Sequence, residues 1–145
     1  MNGGIGGMVV PNKIVAVQKL PAILLIEKEP ITAKLMIRQM RNSGLGTATH
    51  VLSGAEALAQ VQKTDFDLFI MGSSVPYVKG RTKLACELKL NYPNINIISV
   101  STINLDDIRK EVAAAGVPDL FKAYIITPYD EQVLVRAVAQ YVRQN

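Results

Sequence analysis

Glu27, Lys28, Gly72, Ser73, Ser74, Ser101 and Thr127 are the residues whose spacing could bring chemistry to one spot in this 145-residue chain. They follow four apolar runs: Ala22 to Ile26, Leu68 to Met71, Asn96 to Val100 and Tyr124 to Ile126. Runs this short read as strands buried on both faces. In open α/β sheets, ligands and reactions sit just past the carboxyl ends of the strands. A carboxylate there could act as a nucleophile or, with a second, hold a hard divalent cation. The chain places one carboxylate, Glu27, beside the ammonium of Lys28, and Gly72 brings no side chain at all. Like charges about 4 Å apart repel by roughly 4 kcal/mol per unit pair at an effective dielectric near 20. Lys28 therefore opposes a metal, and a divalent ion doubles the penalty. Ser101 has a hydroxyl but no base near it in the pattern, and Ser73 and Ser74 read as residues that satisfy loop amides.

The elements that must position these residues alternate. Pro21 opens the first strand, Ala22 to Ile26, and Pro30 suits the first turn of a helix reaching about Asn42. Ile31, Leu35, Met36 or Ile37, and Met40 form its expected inner stripe. Gly44 suits a left-handed cap. Thr47 to Val51 is a β-branched strand. Ser53-Gly54-Ala55-Glu56 is a capping box before a helix with Ala57, Leu58 and Val61 inward. The strand over 68–71, a helix over 81–90 and the strand over 96–100 follow. A helix over 105–115 closes at Gly116. The fifth strand covers 124–126. Asp130 caps a last helix to about Gln144, with Val133, Leu134, Ala137, Val138 and Tyr141 inward. Five strand–helix alternations predict an α/β fold: a doubly wound parallel sheet with helices on both faces.

Bulk properties bound the function. Hydrophobic residues make up 49% of the chain, enough for a sizeable core. The single cysteine, Cys86, excludes an internal disulfide and a cysteine-rich zinc site, and reads as a small core hydrophobe. His50, the one histidine, reads as a packed or edge residue rather than a ligand. The net charge of +4 includes Lys13 and Lys19 in a segment without acids. What remains is too small to indicate nucleic acid, which would be met only through another domain. No apolar run is long enough to span a membrane, and no basic region precedes the N-terminal apolar residues, so a cytoplasmic protein is expected. Residues 1–20 read as an N-terminal extension, partly flexible, with 1–12 glycine-rich and 14–17 either a strand or a helical turn. Residues 21–145 read as one domain.

The order of these marks resembles that of response-regulator receiver domains. The resemblance rests on Leu25-Ile26-Glu27-Lys28-Glu29-Pro30, Ser53-Gly54-Ala55-Glu56-Ala57-Leu58, Asp67 to Pro76 with Gly80 following, Ala115-Gly116, and Thr127-Pro128-Tyr129. A short insertion within Pro118 to Ala123 departs from the family pattern. The resemblance implies a flavodoxin-like strand order, 2-1-3-4-5. It also implies a phosphorylated aspartate after the third strand, two acids for Mg²⁺ after the first, a hydroxyl after the fourth and a lysine after the fifth. Those positions are here Gly72, the pair Glu27 and Lys28, Ser101, and Thr127. The hydroxyl, Ser101, and one of the two acids, Glu27, are kept. The aromatic switch position is Tyr124.

The resemblance thus implies a two-component, phosphorelay-type module that has lost its chemistry. The expectation is a pseudo-receiver: not an enzyme, with no metal and no cofactor, acting by protein–protein interaction. Lys28 is expected to neutralise Glu27. The expected partner is a histidine kinase, regulator or effector domain, met on the face carrying Tyr124, Lys122, Arg109 and Arg136. A weak homodimer is a further expectation. The alternative is a small-molecule or anion sensor using space left at Gly72 beside Lys28, Ser101 and Thr127. Lys79, Arg81 and Lys83 read as a solvated helix start.

Overall fold

The computed structural model describes residues 7–10, 13–16 and 20–144. Residues 1–6, 11–12 and 17–19 of the expected extension lie outside them. Within the extension, β1 (Gly7–Val10) and β2 (Lys13–Ala16) pair antiparallel. Five further strands form one parallel sheet: β3 (Ala22–Ile26), β4 (Thr47–Val51), β5 (Leu68–Met71), β6 (Ile97–Ser101) and β7 (Ala123–Ile126). Their order is β4-β3-β5-β6-β7, which is 2-1-3-4-5 counted within the sheet. β3, β5 and β6 are buried along almost their whole length, as continuous apolar runs require.

Five helices cover the sheet: α1 (Pro30–Asn42), α2 (Gly54–Val61), α3 (Arg81–Asn91), α4 (Leu105–Ala114) and α5 (Glu131–Tyr141). Ala57, Val61, Leu84, Leu88 and Val112 pack α2, α3 and α4 on one face around Phe69 and Ile97. Met36, Met40, Leu134 and Val138 pack α1 and α5 on the other around Leu25, Ile70 and Ile98.

Local chemistry sets the helix ends. Pro30 begins α1. Ser53 accepts the Glu56 amide, and Glu56 reaches back one residue further than a simple capping box, to the Leu52 amide. Asp130 accepts the Gln132 amide. Gly44 and Gly116 close α1 and α4 at φ of 66° and 77°, where a Cβ would be strained.

Two expected stripes need correction. In α1 the buried residues are Ala33, Met36, Gln39 and Met40, while Ile31 is 83% exposed and Leu35 is also exposed. The helix carries apolar residues on two faces, and small Ala33 allows closer approach to the sheet. In α5 Val133 points outward and Leu134, Ala137 and Val138 are buried.

Candidate functional site: the carboxyl rim of the sheet

The carboxyl ends of the five parallel strands build the rim. The main chain stitches it together: Glu27 N–H to Val51 O at 3.0 Å, Gly72 N–H to Ile26 O at 2.8 Å, and Thr127 N–H to Ser101 O at 2.9 Å. The loops after β3 and β5 are tied by Lys28 N–H to Ser74 O at 2.8 Å. His50 on edge strand β4 lies 2.6 Å from Glu27 O through Nε2. A carbonyl only accepts, so Nε2 carries the proton. His50 is thus an edge residue that braces the loop.

Glu27 is fully buried. Its Oε2 accepts the Glu29 amide at 2.7 Å. Its Oε1 accepts the Ser74 amide at 3.2 Å and the Ser73 hydroxyl at 3.4 Å. The carboxylate lies directly over Gly72. A Cβ added there would overlap Glu27 Oε1 and stand 3.0 Å from Glu27 Cβ and Cδ. The missing side chain therefore leaves no open space, contrary to the expectation behind an anion site at Gly72. A carboxylate already fills it, and an incoming anion would face that charge.

Lys28 does not neutralise Glu27 as expected. Its side chain is exposed, and among the described residues it forms no ion pair with Glu27. Main-chain amides and a hydroxyl satisfy the Glu27 oxygens instead. Ser101 is buried, with its Oγ accepting the Ile103 amide at 2.9 Å. Thr127 is half-buried before the cis bond to Pro128. The rim brings Glu27 and Gly72 into contact, ties Ser101 and Thr127 to each other by main chain, and leaves Lys28 pointing to solvent.

Mg²⁺ does not fit this donor set. Both oxygens of the buried carboxylate already accept hydrogen bonds, its neighbour is a cation, and octahedral Mg²⁺ needs hard oxygens free to bind. Among the described residues no group of three His, Cys, Asp or Glu converges on a metal-sized space.

Arg81 is the residue behind the rim that the sequence reading misplaced. It is not part of a solvated helix start. Its Nε donates to Gly72 O at 3.0 Å, and Nη2 donates to Met71 O at 3.0 Å and Ser99 Oγ at 2.6 Å. Its guanidinium lies 5.4 Å from the centre of the Phe121 ring. Burial pushes its pKa down to about 10, partly offset by Glu111 and Glu27. A signal existed: Arg81 sits three, four and seven residues before Leu84, Ala85 and Leu88, on the buried stripe of α3. Lys79 does stay outside, paired with Glu87 at 3.1 Å.

Tyr124 packs edge-on against Phe121 at 5.7 Å. Its hydroxyl is buried without a hydrogen-bond partner among the described residues. Burial raises its pKa, and Arg109 and Arg81 oppose that. Lys122, Arg109 and Arg136 are exposed, and none is in an ion pair among the described residues.

A parallel five-stranded sheet in this order is the flavodoxin-like doubly wound fold, whose sites lie at the carboxyl rim of the strands. The model of the response regulator receiver domain matches residues 23–139, and the chain belongs to that family, the signalling module of two-component systems. It is 28% identical over 122 residues to the sensor protein TorS of Escherichia coli K12, covering 83% of this chain. The match spans only 13% of TorS. The fold is similar to that of the response regulator TrrA of Thermotoga maritima, solved in complex with Mg(2+)-BeF. The TM-score is 0.73 at 18% identity, covering 85% of this chain and all of that one. It is also similar to a sensor protein of Polaromonas (TM-score 0.72, 22% identity, 83% of this chain and 94% of that one). No helix among the described residues is long and apolar enough to cross a membrane.

Proposed function

We propose that this receiver domain is a pseudo-receiver, signalling by protein–protein interaction without being phosphorylated and without catalytic activity of its own. One observation carries this: Gly72, which stands where the resemblance puts the phospho-acceptor, has no side chain, and the buried Glu27 carboxylate occupies the space beside it. An acyl phosphate needs a carboxylate nucleophile, and glycine has none. Glu27 has its oxygens turned toward Glu29, Ser73 and Ser74, so it is held as an acceptor of hydrogen bonds rather than poised for attack.

The partner surface is the face of α4, β7 and α5. Lys122, Arg109 and Arg136 give it three exposed cations, which suit an acidic surface on a histidine kinase, regulator or effector domain. Tyr124 lies beneath that face rather than on it, its phenol held against Phe121. Titrating labelled protein with Mg²⁺ and beryllofluoride tests the site: amide resonances at 27, 72 and 101 should not move. Saturable shifts there would show that an active-type pocket survives. Reversing Lys122, Arg109 and Arg136 to Glu should abolish partner capture while leaving the circular dichroism spectrum unchanged. Undiminished capture would assign the partner to another face.

A further inference from the structure

α1 packs on the sheet through Ala33, Met36 and Met40. Its outer side carries two stripes at helical spacing. Ile31 and Leu35 form one, and Lys34, Arg38 and Arg41 form the other. All five are exposed, Ile31 to 83% and Leu35 to 42%. With Ile37 they line one open depression of about 490 Å³. That lining holds three cations and no acid, and α1 as a whole contains no acid. None of the three cations is in an ion pair among the described residues. Arg41 lies in the last turn, where a cation suits the helix dipole. Lys34 and Arg38 lie nearer the middle of the helix, where that effect has faded.

The helices on the two faces of the sheet differ in charge. α1 and α5, which share one face, carry four cations, Lys34, Arg38, Arg41 and Arg136, against one acid, Glu131. On the other face, α2, α3 and α4 carry five cations and five acids. A layer of one sign draws an extended surface of the opposite sign to that side. The residues lining the depression all come from one helix. No second wall stands beside them to hold a partner helix in a groove. A planar interface needs none. Nucleic-acid phosphates would meet the cations and leave Ile31 and Leu35 in water, whereas an anionic lipid surface takes both stripes.

We infer that the outer face of α1 rests on an anionic lipid surface, with Ile31 and Leu35 entering the headgroup layer and Lys34, Arg38 and Arg41 meeting lipid phosphates. The long stems of the cations let their charged ends stay at headgroup level while the two apolar side chains go deeper. Contact of this kind is peripheral and reversible, and it weakens as salt screens the charges. It does not depend on how the carboxyl rim is read.

Flotation of the full chain with lipid vesicles at low salt tests this. The protein should rise with vesicles of phosphatidylglycerol and phosphatidylcholine in equal parts, and stay behind with phosphatidylcholine alone. Removing a cation should weaken partitioning about fivefold, so the triple variant Lys34→Ala, Arg38→Ala, Arg41→Ala should lose about a hundredfold. Ile31→Ser keeps every charge and should weaken it about threefold or more. All these positions are exposed, and unchanged circular dichroism spectra confirm that the variants fold. No flotation with the anionic vesicles, equal flotation with both kinds, or unchanged partitioning of the triple variant or of Ile31→Ser would overturn the inference. Retention on polyglutamate or duplex DNA without vesicle binding would also overturn it, giving the face to an acidic protein or to nucleic acid.

Discussion

Adding one methyl group, Gly72→Ala, tests the packing of Glu27 against the glycine. Gly72 is not among the glycines with positive φ, so alanine suits its backbone. At such a position Gly→Ala ordinarily stabilises by about 0.4–1 kcal/mol, because the unfolded chain loses freedom. Here the new Cβ would overlap Glu27 Oε1, with Glu27 Cβ and Cδ at 3.0 Å. Glu27 has no exposure and holds the amides of Glu29 and Ser74. To make room it must loosen charge-assisted hydrogen bonds, each contributing about 1.5–3 kcal/mol net. Partial relaxation recovers some of that. The expected net effect is a loss of about 2–4 kcal/mol, opposite in sign to the ordinary effect. In a Glu27→Ala background the overlap with the carboxylate is gone and only the close approach to the residue 27 Cβ at 3.0 Å stays, so Gly72→Ala should cost less than about 1 kcal/mol. The difference is a coupling free energy of about 2 kcal/mol or more, within the range for residues in contact. Urea unfolding of the four proteins, followed by far-ultraviolet circular dichroism, measures it. A stabilised Gly72→Ala protein, or the same cost in both backgrounds, would refute the packing of Glu27 over Gly72.

Three other outcomes are expected. Arg81→Ala removes a cation from Gly72 O, Met71 O, Ser99 Oγ and the Phe121 face, and should destabilise by about 3 kcal/mol; Arg81→Lys should recover less than half in urea titrations, because an ammonium lacks the planar fork. Arg143 donates to Asp67 Oδ1 at 3.1 and 2.9 Å and ties the end of the chain to the start of β5; Arg143→Ala should cost about 1–3 kcal/mol by the same measurement, because the Asp67 carboxylate is buried. Glu87 has its pKa held below the ordinary value by the Tyr77 hydroxyl and then by Lys79. Its contribution is present above about pH 4.5, the unfolded value, and is lost as pH falls through the lower folded value. Tyr77→Phe should therefore destabilise at neutral pH and flatten the acid limb of stability against pH; parallel limbs would contradict the pairing.

Most of the fold was legible because buried parallel strands announce themselves as short apolar runs, and Pro30, Ser53, Asp130 and Gly116 mark helix ends by simple chemistry. The α1 stripe was not, because Ile31 and Leu35 compete at helical spacing with Ala33, Met36 and Met40, and periodicity alone does not say which set meets the sheet. At the rim, the absence of an acid at 72 is plain from the residue itself. Where Glu27 turns its carboxylate is not, since that depends on the Glu29 and Ser74 amides brought to it by two separate loops. Arg81 shows the limit of reading charge as exposure: the stripe it shares with Leu84 and Leu88 outweighed its type, because main-chain carbonyls were there to receive it.

Incubation with acetyl phosphate and Mg²⁺, followed by intact-mass measurement with and without hydroxylamine, tests the loss of phosphoryl chemistry most directly. The predicted result is an unmodified chain under both conditions. A hydroxylamine-sensitive phosphoryl adduct mapped to Glu27, or to any other residue at the carboxyl rim of the sheet, would contradict it.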